Sequence, residues 1–214
     1  MKIRTLEMLS DSLAEDLSWR KKELSDLRFL ISQSSASTDR KRVLSRSGIT
    51  LLYAHWEGFV KKASTHYLEF VRMQRLKNKE LSSNFVAMMV CQQFCNNVLS
   101  KKSSQYEGIT NFFLQNQDER ATFTHKEVID TESNLKSKVL KEIIWTLGLD
   151  YSFFEPLEKL IDAVLLGKRN AIAHGEQEPI SQKDYLDLHT KVVEMMENFR
   201  TEIENAAVGG KYKA

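Results

Sequence analysis

Helix breakers, thiols and long apolar runs are all scarce in this 214-residue chain, and each scarcity excludes something. Only two prolines and eight glycines occur. These are the residues that end helices, so their rarity argues for long ones. The two cysteines, Cys91 and Cys95, stand at helical spacing, unlike a Cys-x-x-C redox or zinc pair. They read as buried reduced thiols, and the compartment as a reducing cytoplasm. No apolar run approaches the ~20 residues of a membrane span. The stretch from Met1 to Trp19 mixes acids and bases among scattered apolar positions, unlike a secretory leader. Walker-type phosphate loops, the G-x-G-x-x-G fingerprint, the nucleophile elbow and His/Asp/Glu clusters at metal-ligand spacing are also lacking. The sequence therefore predicts neither a metal nor a cofactor.

What is present is an ordinary globular composition, with 42% hydrophobic and 28% charged residues. The net charge of +2 conceals an asymmetry: residues 1–80 carry +6, residues 81–149 are neutral, residues 150–208 carry −6, and Lys211 and Lys213 add +2. A basic face can attract nucleic acid, but +6 over 80 residues is not a strongly basic arm. The first reading is therefore packing within the protein, of the two chain ends together or of subunits head to tail.

Apolar periodicity predicts an all-α fold. A first helix over 3–31 carries Leu6, Leu13, Leu17, Leu24, Leu27 and Ile31 on one stripe. After a Ser/Thr-rich break, Asp39 is a candidate cap for a second helix over 40–77, which contains Gly48 and Gly58. Two helices of this length imply an extended antiparallel hairpin. Further helices are expected over 84–99, 109–117 and 134–147, with Gly148 as a C-terminal stop. Residues 100–108 read as loop and 118–133 as partly extended. Asp162 is a candidate cap for a helix running to Gly175, and Ser181 with Asp184 opens the last helix as a capping box. The expected organisation is one helical domain over 1–208, with an irregular insertion at about 100–133 and a flexible tail over 209–214.

One segment differs from the rest: Gly-Lys-Arg-Asn-Ala-Ile-Ala-His-Gly-Glu, residues 167–176. It sets a cation, an amide and an imidazole beside a helix end. Asn170 and His174 are four apart and share a helix face. Arg169 lies ~140° round and ~7.5 Å along the axis from His174. Its side chain must curl round the helix or reach a second copy of the motif. Two further stretches are Tyr53-Ala54-His55-Trp56-Glu57-Gly58-Phe59-Val60-Lys61 and Thr131-Glu132-Ser133-Asn134-Leu135.

Arg-x4-His with a polar residue directly after the arginine, here Asn170, resembles the signature of the HEPN superfamily, and Arg-Asn-x-Ile-Ala-His-Gly resembles its bacterial toxin and defence branches. The three stretches cover only about 25 residues, but their order fits that family. The resemblance implies a helical bundle, dimeric, with two Arg–His motifs lining one cleft. It implies a metal-independent endoribonuclease of the toxin-antitoxin or phage-defence type, acting on RNA such as tRNA, with an antitoxin or another defence-system protein as partner. On this reading His174 transfers a proton, Arg169 steadies phosphorane charge and Asn170 holds the imidazole or the phosphate. Lys168 is a supporting cation. Glu57 either pairs with Arg169, orients His174 or forms a structural ion pair.

The residues alone also allow a bland reading, in which His174 favours the helix dipole and Arg169 bonds a carboxylate. A non-catalytic RNA-binding or regulatory module, and a dimerisation module of a larger complex, are the alternatives in function. Of the other histidines, His55 and His66 on the second helix read as core-edge or surface residues, while His125 sits in a polar, loosely patterned segment and His189 on the last helix. The Trp and Phe residues at helical spacing read as core.

Overall fold

Proline-free stretches become three long helices in the computed structural model, which describes residues 2–33, 38–94, 103–124 and 128–214. Helix α1 spans Leu6–Ser32, α2 spans Thr38–Met73 and α7 spans Gln182–Val208. Between them come α3 (Ser83–Phe94), α4 (Glu107–Gln115), α5 (Ser137–Thr146) and α6 (Gly167–Ala173). Seven α-helices and no strand occur among the described residues, so the chain is all-α as predicted.

The long helices form the scaffold because each has an apolar stripe to bury. Ser12 bonds His66, and further along Arg20 meets His55, so α1 and α2 run antiparallel. Ser10 bonds Glu204 and Lys21 pairs with Glu197, which sets α7 antiparallel to α1. Leu13, Leu17, Leu24 and Ile31 are buried as their spacing predicts, whereas Leu6 and Val43 are exposed near helix ends. The centre is aromatic: Trp56, Phe59, Phe154 and Phe199 pack with ring centroids 6.0–6.5 Å apart. Gly48 permits the close approach of α7, since a Cβ there would lie 2.4 Å from the buried Tyr185 ring.

Local caps set several boundaries. Thr5 accepts from the Met8 amide at the start of α1, and Ser181 and Asp184 form the expected capping box on α7. Gly148 and Gly175 adopt φ +67° and +80° after α5 and α6. Asp39 lies in the first turn of α2, which begins one residue earlier.

Several expectations need correction. Asp162 does not cap its own helix. Its carboxylate accepts from the Ser137 N–H at 2.7 Å and the Ser137 hydroxyl at 2.6 Å, so it caps α5 across space. The segment before α6 is a π-helix over Leu160–Leu166, continuous with it. The predicted loop at 100–108 is already helical from Ser103, and the rest of it lies outside the described residues. Cys91 is exposed and disulfide-bonded rather than a buried thiol, and Cys95 lies outside the described residues.

The tail expected to be flexible is docked. Tyr212 is buried and meets Phe70 edge-on at 5.7 Å. The Ser82 N–H donates to the Tyr212 carbonyl and the Ala214 N–H to the Glu80 carbonyl. One buried aromatic and two backbone bonds outweigh the freedom that two adjacent glycines give the tail.

Candidate functional site

The segment 167–176 lies where α6 packs on α2. A π-helix carries one extra residue per turn, shifts the register of the helix beyond it, and is frequent at functional sites. Here it delivers Arg169 to the side of α2 that carries Tyr53 rather than to solvent. The Arg169 guanidinium lies 4.3 Å over the Tyr53 ring. Its Nη1 donates to Asn170 Oδ1 at 2.7 Å and to Asn134 Oδ1 at 3.2 Å. The three stretches singled out in the sequence thus converge on one side chain: Tyr53 from α2, Asn134 from the turn before α5, and Asn170 from α6.

Both hydrogens of Nη1 are engaged, while Nε and Nη2 make no hydrogen bond among the described residues. The side-on Nε–Nη2 edge is the fork that matches two oxygens of a phosphate or carboxylate. Arg169 is only half-buried, so that edge is reachable.

His174 closes α6. Its backbone N–H donates to the Asn170 carbonyl, its side chain is exposed, and its imidazole has no hydrogen bond or ion pair among the described residues. The long separation between Arg169 and His174 is therefore resolved by the arginine turning inward within its own chain. No second copy is needed to hold it. The loop beyond is tied down: Arg46 donates to the carbonyls of Glu176 and Glu178 at 2.6 and 2.7 Å. Lys168 pairs with Glu178 at 3.3 Å, both partly buried.

Tyr53 is the hinge of the arrangement. It is 1% exposed, and its hydroxyl accepts the Leu135 N–H at 2.7 Å. Burial pushes the phenol up to about 12; the neighbouring Glu57 carboxylate adds to this, against downward pulls from the Leu135 N–H and Arg169. The phenol is therefore un-ionised at neutral pH and can donate to Glu57. Glu57 forms no ion pair with Arg169, nor with any other cation among the described residues.

The sequence did not assign the contacts of Asn134 and Tyr53 with Arg169, although both residues lay in the stretches it picked out. No local signal foretold the turn before Asn134, where Glu132 and Ser133 adopt φ +50° and +65° without a glycine.

The remaining candidates fall elsewhere. His55 is buried, not at the surface; its Nε2 lies 2.7 Å from Glu23, and it belongs to a polar cluster with Asp16 and Arg20. His189 is buried on α7, His66 is partly buried, and His125 lies outside the described residues. Trp56 is core as expected, but Trp19 and Trp145 are 47% and 55% exposed. Among the described residues no group of three or more His, Cys, Asp or Glu side chains is placed to hold a metal ion. No helix among them is long and apolar enough to cross a membrane.

No curated protein and no solved structure matches the chain. A family profile does: HEPN_MAE_28990-like HEPN, over residues 9–212. That match takes in all but the first three residues of the long-helix scaffold, the turn carrying Asn134 and the Arg169–His174 segment, so the chain belongs to the HEPN_MAE_28990-like HEPN family.

Proposed function

We propose that the protein is a metal-independent endoribonuclease of the toxin-antitoxin or phage-defence type, with Arg169 and His174 as its catalytic residues and Asn170 as the residue that seats the arginine. The observation that carries this reading is an arginine anchored through one nitrogen, with its bidentate edge free, five residues from an exposed imidazole that nothing else engages.

RNA brings its own nucleophile. The 2′-oxygen bonds to phosphorus while the bond from phosphorus to the 5′-oxygen breaks. His174 takes the 2′ proton, and water or the imidazole of a second copy protonates the departing 5′-oxygen. Arg169 faces the two non-bridging oxygens, whose charge grows in the transition state. The products are a 2′,3′-cyclic phosphate and a 5′-hydroxyl end. A homodimer that opposes two such segments would supply both proton-transfer groups, and an antitoxin or other defence-system protein would hold the activity in check. Lys168, fastened to Glu178, stands beside the site and supports it with a charge that the carboxylate balances. Glu57 acts through the Tyr53 phenol.

The test is incubation of total tRNA and a labelled single-stranded RNA with the protein in EDTA, beside His174→Ala. Cleavage by the intact chain alone, leaving cyclic-phosphate ends, is the expected result. RNA binding that survives His174→Ala, without cleavage by either protein, would replace the nuclease with an RNA-binding module.

A further inference from the structure

Asn134 reaches Arg169 from a backbone that ordinary residues avoid. Glu132 and Ser133, neither of them glycine, both adopt left-handed φ, a conformation that persists only where its surroundings over-determine it. The surroundings do so here. The Glu132 N–H donates to Asp130 Oδ1 at 2.8 Å, and the Asn134 N–H to the Thr131 carbonyl at 2.9 Å. Thr131 is buried, and the Leu135 N–H is fastened to the Tyr53 hydroxyl. Tyr53 therefore serves twice: its hydroxyl pins the turn and its face carries the guanidinium that the turn's asparagine clamps. A connection between helices needs no left-handed pair; the pair's consequence is the placement of Asn134 Oδ1 on Arg169 Nη1.

We propose that Asn134, presented by this turn, and Tyr53, beneath the guanidinium, are positioning residues that fix the plane of Arg169 and leave its Nε–Nη2 edge for a single phosphodiester. The proposal rests on the reading of the site as one that grips an RNA phosphate. With Nη1 saturated by two amide oxygens, rotation about the Nε–Cζ bond would break both hydrogen bonds. Stacking on the Tyr53 face opposes tilting out of the plane. The guanidinium thus meets substrate pre-oriented, which matters because small displacements of a catalytic group cost rate steeply. Asn134 has no place in the proton transfers, and its loss leaves Arg169 and His174 chemically intact.

The experiment monitors the Arg169 guanidinium by NMR in the full chain, its signal assigned by its disappearance in Arg169→Lys. The intact protein should show slow rotation of the Arg169 Nη groups, and a 2′-O-methyl RNA oligomer, which cannot be cut, should shift the Nε–H signal. Asn134→Ala, which leaves Nη1 only its bond to Asn170, should measurably speed the rotation of the Nη groups. Asn134→Asp, which keeps an acceptor oxygen, should restore slow rotation. In cleavage assays Asn134→Ala should lower kcat by about ten- to a hundredfold, with KM within about twofold because ground-state phosphate binding is mostly kept, and Asn134→Asp should recover most of that loss. Unchanged Arg169 rotation in Asn134→Ala would overturn the proposal, whatever the activity. A change in rotation alongside an intact protein that neither cuts RNA nor responds to the oligomer would uphold the clamp and overturn the nuclease reading instead.

Discussion

Removing the Asp162 carboxylate should destabilise the fold far more than an exposed loop-facing acid would. The group accepts two hydrogen bonds from Ser137, at 2.7 Å from its N–H and 2.6 Å from its hydroxyl. Ser137 is the first residue of α5, and Lys136, in the cap position, makes no side-chain cap bond. The carboxylate is thus the cap of α5, supplied by a different element. Loss of a cap costs about 0.5–2 kcal/mol. Loss of a negative charge at a helix N-terminus adds about 0.3–1 kcal/mol. Ser137 is 7% exposed, so water does not readily replace the lost acceptor. Asp162→Ala should therefore cost about 2 kcal/mol. At roughly 2–4 °C per kcal/mol for a chain of this size, Tm should fall by about 4–8 °C. Asp162→Asn, which keeps one acceptor and loses the charge, should cost about half as much.

Urea unfolding measures this as a lower midpoint at unchanged slope. Ser137→Ala in the Asp162→Ala background should cost little more than Asp162→Ala alone, because the two residues share one interaction. Hydrogen exchange should speed up first in the opening turn of α5, next to Asn134. A loss below about 0.5 kcal/mol for Asp162→Ala, within the range of ordinary surface substitutions, would refute the cross-element cap.

Two other perturbations have signed outcomes. Gly48→Ala places a methyl group 2.4 Å from Cε2 of the fully buried Tyr185 ring. The overpacking cost of about 1–3 kcal/mol should exceed the ~1 kcal/mol gained in helix propensity, lowering the urea midpoint; a rise would show that α7 yields at this contact. Stability should also fall in two stages on acidification. Burial holds the His55, His66 and His189 imidazoles below their ordinary value of 6.5, so the folded state resists protons that the unfolded chain accepts. Their contribution is complete above pH 6.5 and is lost as pH falls from there through the folded-state values. For Asp16, burial pushes the carboxyl up, but bonds from Arg20, Lys62 and Trp19 together hold it below 3.8. Its contribution persists above 3.8 and is lost as pH falls through the depressed value. Chemical denaturation across pH 2.5–8 reads both stages. A stability unchanged between pH 7 and 5 would contradict the histidine assignment.

Features that depend on neighbours along the chain were readable from the residues alone. Leu13, Leu17, Leu24 and Ile31 recur at helical spacing, and an isolated stripe must bury itself, so α1 and its partners were legible before any fold was known. Ser181 with Asp184, Gly148 and Gly175 act over one helical turn, which made three boundaries readable. The order of the three polar stretches marked the region of the site. Whatever depends on elements meeting across space was settled only by the fold. Asp162 looked like a local cap and proved to serve α5, 25 residues earlier in the chain. The tail looked flexible because two glycines precede it, yet Tyr212 finds Phe70 on α2. Arg169 and His174 lie on different faces of one helix, a separation that periodicity registers but does not resolve. Only the register of the π-helix, the face of Tyr53 and the left-handed turn before Asn134 send the arginine inward and leave the imidazole in solvent. Side-chain direction at a helix end is set by what packs against it, and that partner lies 35 residues away at Asn134.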